Sequence, residues 1–242
     1  MYQAINDKII NKLENIFNKI IVKDKDLLIP YSQDEGYHPP SLPEAVVIPE
    51  NEKQIIELVN LCNEEKIPLT TRGGGTGVTG ACIPIYGGIV VSMKNFNQVT
   101  DIDNDNFCVH AQPGVILENL HKTVEAENLF YPPDPNSLDS CTIGGNLSTS
   151  AGGPRCVKYG ITRDYVLKTK FITPEGKMVE FGGKYNKIST GYNLTHLMIG
   201  AEGTLGIITD ILLKVIPKPD DVTDALAVAI THSSSRSSQF KK

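Results

Sequence analysis

The sequence predicts an α+β fold of two sheets with helices packed on them, preceded by an N-terminal helix. Three observations point there. Short apolar runs of strand length alternate with segments of 3.6-residue period, no internal repeat is present, and glycine and proline gather in a few clusters between those elements. The chain has 242 residues, 40% of them hydrophobic, with 23 basic and 28 acidic side chains for a net charge of −5, the balance of a soluble globular protein of one or two domains.

The elements follow in order. Ile5, Ile9, Leu13, Ile16, Phe17 and Ile20 recur at helical spacing between charged and amide residues, so an amphipathic N-terminal helix is expected. Asp34 to Pro43, polar with three prolines, reads as an ordered connector, after which the body of the fold should begin. Ala45–Ile48 is a short strand, and Glu52–Glu65 a helix with Ile55, Ile56, Val59 and Cys62 on its buried face and Asn51 as N-cap. Leu69–Arg72, Ile89–Met93 and Phe107–Ala111 are further strands. Gly114–Asn128 is a helix carrying Val115, Leu117, Leu120 and Val124. Tyr165–Thr173 and Met178–Phe181 flank the turn Pro174-Glu-Gly-Lys177 as a hairpin, and Ile207–Ile216 is a long apolar strand. Ala225–Ile230 could open another strand, but His232–Lys242 is Ser-rich and basic, so the chain reads as starting a further domain and stopping.

Several function classes are excluded on composition. No apolar run approaches the ~20 residues of a transmembrane helix, and Met1–Ile20 lacks the apolar block of a signal peptide. There is no Lys/Arg block and no Trp, hence no footprint for nucleic acid. Cys62, Cys82, Cys108, Cys141 and Cys156 form no C-x-x-C pair, and His38, His110, His121, His196 and His232 show no metal-ligand spacing. Reduced thiols in the cytoplasm, and small molecules or other proteins as partners, are the expectation.

Three glycine-rich segments remain. In Leu69-Thr-Thr-Arg-Gly-Gly-Gly-Thr-Gly-Val-Thr-Gly80 a strand runs into five glycines within eight residues. Such a loop brings backbone N–H groups to a phosphate oxygen without a Cβ in the way, or makes a tight structural turn. No Gly-Lys-Ser/Thr follows, and no clear amphipathic helix, so neither a Walker A loop nor a Rossmann unit fits. Tyr131-Pro-Pro-Asp-Pro-Asn-Ser137, Thr142-Ile-Gly-Gly-Asn146 and Ser150-Ala-Gly-Gly-Pro154 combine a rigid extended path with two open Gly-Gly pairs, either a surface for a flat aromatic ligand or a loop-rich crossover. The third segment, Thr190 to Gly206, leads directly into the last strand. Its Glu202 stands among glycines with no basic neighbour, a carboxylate for a ligand's ribose or a solvated turn residue.

In this order the segments resemble the FAD-binding domain of the vanillyl-alcohol oxidase (PCMH) type, in its glycolate oxidase and D-lactate dehydrogenase branch. The likeness covers about Pro43 to Pro219. It is carried by Pro43-Glu-Ala-Val-Val-Ile-Pro49, Arg72-Gly-Gly-Gly-Thr-Gly77, Pro132-Pro-Asp-Pro135, Thr142-Ile-Gly-Gly-Asn146, Ala151-Gly-Gly153, Lys158-Tyr-Gly160 and Gly200-Ala-Glu-Gly-Thr-Leu-Gly-Ile-Ile208.

The resemblance implies an FAD-binding domain over 43–218, with subdomains of about 43–104 and 105–218 and FAD between them. Residues 1–42 are then helix and connector, and 219–242 the opening of a cap domain. It implies that Gly73, Gly74, Gly75, Thr76 and Gly77 cradle the pyrophosphate. Pro133, Asp134, Ser137, Thr142, Gly144, Gly145, Ala151, Gly152 and Gly153 would line the ribityl chain and flavin, and Glu202, Gly203, Ile207 and Ile208 the adenosine. Arg72, Tyr159 and Gly160 fall in the same motifs. Some members attach FAD through a histidine in the loop that matches Arg72–Gly77; Thr76 stands there and Leu69–Gly80 has no His, so a non-covalent cofactor is expected. The implied reaction is hydride transfer from the α-carbon of a small 2-hydroxy acid to the flavin, with electrons passed to an acceptor protein or quinone. In this branch a cap with a metal site and a base follows the FAD domain, so the chain alone is expected to bind FAD but turn over poorly, with a cap-bearing or electron-accepting protein as partner. The alternatives are a truncated FAD-binding module without catalysis, and the flavin reductase of cell-wall precursor synthesis, against which the Pro132–Pro135 and Thr142–Asn146 motifs argue.

Overall fold

The computed structural model describes residues 2–17, 20–22, 24–185, 187, 189 and 191–219. In chain order the elements are α1 (Asp7–Ile16), β1 (Ile20–Val22), α2 (Lys25–Leu28), β2 (Ala45–Val47), α3 (Glu52–Glu65), β3 (Leu69–Arg72), β4 (Ile89–Ser92), β5 (Val99–Asp103), β6 (Cys108–Ala111) and α4 (Leu117–Ala126). They continue with β7 (Leu129–Phe130), α5 (Ile143–Thr149), α6 (Cys156–Tyr159), β8 (Val166–Ile172), β9 (Met178–Gly182), α7 (Leu194–Met198), β10 (Ile207–Lys214) and β11 (Ile216–Pro217). The expected strand at Ala225–Ile230 lies outside the described residues.

The first sheet has strand order β1-β2-β4-β3, with β2, β4 and β3 parallel and β1 antiparallel at the edge. Its central strands are buried on both faces, which is why they read as unbroken apolar runs. Ala45, Val47, Ile89 and Val91 pack towards Ile9, Leu13, Ile55 and Leu58 of α1 and α3, while Val46 and Val90 pack towards Leu28 and Tyr31. α3 begins as its sequence dictates, with the Asn51 side chain accepting the Gln54 N–H at 3.0 Å, and ends at Lys66 in the left-handed region.

The helical period at the N-terminus runs to Ile20, but α1 stops at Ile16. Phe17 is extended, and Ile20 pairs with Val47 as the start of an edge strand. The backbone demand of the sheet edge thus overrides a spacing that happens to continue the helix.

The second sheet is antiparallel, order β5-β6-β10-β8-β9. One face, including Val109, Ala111, Ile211 and Leu213, packs on Leu117, Leu120 and Val124 of α4 and Ile143 and Leu147 of α5. Pro174–Lys177 makes the expected hairpin turn with Gly176 at φ +74°. The apolar run expected as one strand divides at Val215: its N–H donates to the Phe107 carbonyl at 2.9 Å as the last rung in register with β6, and Ile216–Pro217 then pairs with β7. Ile172 and Ile207, at the ends of β8 and β10, join the core of the first sheet. Polar ties reinforce this seam: Glu52 at the start of α3 accepts from Lys170 at 2.9 Å and from the Thr209 hydroxyl at 2.7 Å.

A candidate cofactor cleft between the two sheets

The loop after β3 and the first turn of α5 meet at the seam. A Cβ on Gly73 would lie 2.4 Å from the Thr142 hydroxyl, and one on Gly74 would lie 2.4 Å from the Ser140 carbonyl, so this contact requires glycine on the loop side. Thr142 caps α5 by accepting the Gly145 N–H at 3.3 Å. Beyond the contact the two walls part around a cleft of about 1090 Å³ that is open to solvent.

One wall is the loop from Gly73 to Gly77. The other carries Ser137, Thr142, Gly144, Gly145 and Ala151, and Glu202, Gly203 and Ile208 complete the lining, with the Glu202 N–H bound to the Ser148 carbonyl of α5 at 2.9 Å. Segments far apart in sequence are therefore brought to one place.

The donors are unevenly distributed. The leading N–H groups of α5 are spent inside the protein, Ile143 on Val115, Gly144 on Pro113 and Gly145 on Thr142. No backbone N–H from Gly73 to Thr79, by contrast, donates to an acceptor among the described residues. This row of N–H groups without an acceptor among the described residues suits an anion.

Among the described residues lining the cleft there is no Lys, Arg or His; the charged ones are Asp34 and Glu202. The nearby positive charge sits behind the wall. Arg72 is buried and runs under Gly75, where a Cβ would strike its guanidinium, and its Nη1 donates to the Gln33 carbonyl at 2.9 Å and meets Cys82 Sγ at 3.3 Å. Burial pushes the Cys82 and Cys141 thiols up, with Arg72 opposing the shift at Cys82.

The other sequence-predicted residues lie outside the lining. The Pro133 carbonyl is 3.0 Å from Nε2 of buried His121, and Asp134 accepts the Arg155 N–H and pairs with its guanidinium at 3.2 Å. His121 is held below the usual histidine range, chiefly by burial, so the neutral ring donates through Nε2–H. Gly153, at φ +150°, lies against the Asp134 backbone, and Gly152 faces Cys156. The Tyr159 carbonyl accepts from Tyr165, Gly160 abuts Asp164, and Ile207 is core. These residues shape the loops that form the wall.

The lining also holds residues that sequence reasoning missed, among them Asp34, Thr71, Met93, Pro135, Asn146, Ser148 and Thr149. Ser148 and Thr149 follow Gly144 and Gly145 by one helical turn and return their hydroxyls to those carbonyls, a spacing legible in sequence. The buried Asn146 amide nitrogen has no partner of hydrogen-bonding geometry among the described residues, although it lies close enough to Cys141 to oppose the rise of that thiol's pKa.

Comparison with known proteins agrees with this geometry. Residues 43–182 match the family model described as FAD binding domain. The chain is 42% identical over 198 residues to glycolate oxidase subunit GlcD of Bacillus subtilis, covering 82% of this chain and 42% of that protein. It is 40% identical over 222 residues to a D-lactate dehydrogenase of Anaerostipes hadrus (91% and 46% covered) and 35% identical over 203 residues to a D-2-hydroxyglutarate dehydrogenase of Stutzerimonas stutzeri (84% and 44%). Among solved structures, alkyldihydroxyacetonephosphate synthase superposes with a TM-score of 0.79 at 25% identity, covering 91% of this chain and 42% of that one. The chain thus spans less than half the length of these relatives. Since the matched residues carry both the glycine loop and the helix that faces it across the cleft, the chain belongs to the FAD-binding domain family and its cofactor is FAD.

Proposed function

We propose that this chain is the cofactor-holding part of an FAD-dependent 2-hydroxy-acid oxidase or dehydrogenase. The observation that carries the reading is the run of N–H groups from Gly73 to Thr79 that find no acceptor among the described residues, in a loop whose Gly73–Gly77 and Thr79 line an open cleft, a cradle for a pyrophosphate. The residues fit FAD in a second way: Asn146 brings an unpartnered buried amide to the same cleft, where a ring with hydrogen-bonding edges would lie.

In this assignment Gly73 to Gly77 bind the pyrophosphate, and buried Arg72 supplies positive charge from beneath. Ser137, Thr142, Gly144, Gly145 and Ala151 flank the ribityl chain and flavin, with Pro133, Asp134, Gly152, Gly153, Tyr159 and Gly160 holding their backbone in place. Glu202, Gly203 and Ile208 meet the adenosine over Ile207. FAD, when bound, accepts the electron pair that leaves the substrate's carbinol carbon. Attachment is non-covalent, because Thr76 occupies the loop and no histidine lines the cleft among the described residues.

The same inventory bears on the substrate. A 2-hydroxy acid needs a cation for its carboxylate and a base for its hydroxyl proton, and the described lining offers neither Lys, Arg nor His. In this reading those groups lie outside the described lining, elsewhere in the protein or in a partner protein. The five free thiols suit a reducing compartment such as the cytoplasm, and no helix among the described residues is long and apolar enough to cross a membrane.

The test is the visible spectrum of the FAD-loaded chain under anaerobic conditions, before and after glycolate, D-lactate or D-2-hydroxyglutarate. Bound flavin that bleaches only when the missing groups are supplied supports the proposal. Rapid bleaching by the 242-residue chain alone would place the base within it. Bound flavin that never bleaches, with or without a partner, would favour a binding module without catalysis.

A further inference from the structure

The glycine loop is followed by no helix, and β4 begins only at Ile89, so something else must hold its far end. The structure supplies residues 33–38. The Asp34 carboxylate accepts the Gly36 N–H through Oδ1 at 2.9 Å and the Gly80 N–H through Oδ2 at 2.7 Å. Beside it Glu35 N–H donates to the Gly77 carbonyl at 2.9 Å, and His38 Nε2 lies 3.2 Å from the Val78 carbonyl. Arg72 ties the near end of the loop to Gln33. The two strands of chain are thus stitched together along their length, and Asp34, only 9% exposed and lining the cleft, has an oxygen on each.

We infer that Asp34 is the positioning residue of the phosphate cradle, fixing the curvature from Gly77 to Gly80 that keeps the N–H groups of the loop turned to one anion. This rests on the FAD reading and extends it outside the matched residues 43–182. The position is otherwise hard to explain, because a carboxylate in the wall of an anion site repels the ligand. Two effects of opposite sign are therefore separable. Asp34→Asn removes the repulsion, which by itself tightens binding. It also replaces one acceptor with an N–H₂ group facing an N–H, which distorts the cradle.

The experiment titrates the FAD-free chain with FAD, followed by quenching of flavin fluorescence, and with ADP, which carries the same pyrophosphate, by competition. In Asp34→Asn both ligands are expected to bind about tenfold more weakly or worse, the scale of a lost hydrogen bond to a charged group. The spectrum of flavin bound at saturation stays unchanged, since the ring lies elsewhere. If Asp34→Asn does not fold, Gly36→Ala serves instead. Its Cβ would lie 2.7 Å from the Val78 carbonyl and 3.1 Å from Asp34 Oδ1, so it pushes the same two segments apart and crowds the carboxylate while leaving its charge in place, and the same paired weakening is expected.

Unchanged or tighter binding of FAD and ADP by the variants, with the wild-type chain binding both, would overturn the role of Asp34 and leave the FAD reading intact. Weakening of FAD alone, or a shifted flavin spectrum, would show that Asp34 acts on the fold or the ring rather than on the cradle. A wild-type chain that binds neither ligand would overturn the reading of the site, and this inference with it.

Discussion

Glycine does two different jobs in the loop that meets α5, and substitution separates them. At Gly74 a new Cβ meets a backbone carbonyl that cannot give way, so Gly74→Ala is expected to destabilise the chain by about 1–3 kcal/mol in urea unfolding. At Gly77 a Cβ would meet nothing within 4 Å, so Gly77→Ala should change stability by no more than about 0.5 kcal/mol. It should still weaken FAD binding, because the methyl group occupies space in the cleft. His121 gives a second residue-scale prediction. Its folded pKa is depressed, so the folded chain resists a proton that the unfolded chain accepts below about pH 6.5. Stability should therefore decline as pH falls from about 6.5 towards the folded value. His121→Gln, which retains an N–H donor for the Pro133 carbonyl, should flatten that part of the profile, while His121→Phe should cost about 1–3 kcal/mol at neutral pH by stranding the carbonyl. Equal acid slopes in wild type and the Gln variant would rule the assignment out.

Among the elements, α3 has the most consequential position, because its first residue reaches out of its own layer. Glu52 holds both Lys170 and Thr209 at the seam between the sheets. Glu52→Gln keeps an acceptor for Thr209 and should cost less than about 1 kcal/mol. Glu52→Ala leaves the buried Thr209 hydroxyl only the long 3.4 Å bond to the Lys170 carbonyl and removes the partner of the Lys170 ammonium, and should cost about 1–3 kcal/mol by chemical denaturation. The bounds and N-cap of the helix were legible, from Asn51 and the period of Ile55, Val59 and Cys62, but its buried face was not wholly so: Leu58 and Leu61 are buried as well, while Ile56, expected on that face, is only partly buried. β2, β3 and β4 were legible as apolar or β-branched runs. β5 was not, because Val-Thr-Asp-Ile-Asp carries too few apolar residues to announce a strand that is held by pairing with β6. β7 and β11 are two residues each and exist only as each other's partners. α5, with two glycines within it and hydroxyl residues at Thr142, Ser148, Thr149 and Ser150, has poor intrinsic propensity and is held as a helix by the burial of Ile143 and Leu147 and by the Thr142 cap.

Across the molecule, the cleft lies where two cores meet, so a ligand there binds the assembled chain and not the unfolded one. Saturating FAD at a hundred times its dissociation constant should add about 2.7 kcal/mol of stability and raise the melting temperature by roughly 5–11 °C for a chain of this size. A thermal shift assay with and without FAD reads this directly, and no shift would mean that the two halves do not close on the cofactor. The sequence by itself determined most of the elements, the two-sheet α+β class and the glycine-rich segments, because each rests on local facts such as burial period, capping and backbone freedom, which neighbouring residues carry. Tertiary structure alone decided that those segments share one cleft, that Arg72 sits behind it while Asp34 lines it, and that Pro133, Asp134 and Tyr159 support rather than line the wall. These are distances between residues dozens of positions apart. A chain encodes them only through the packing of its sheets, which no local pattern records.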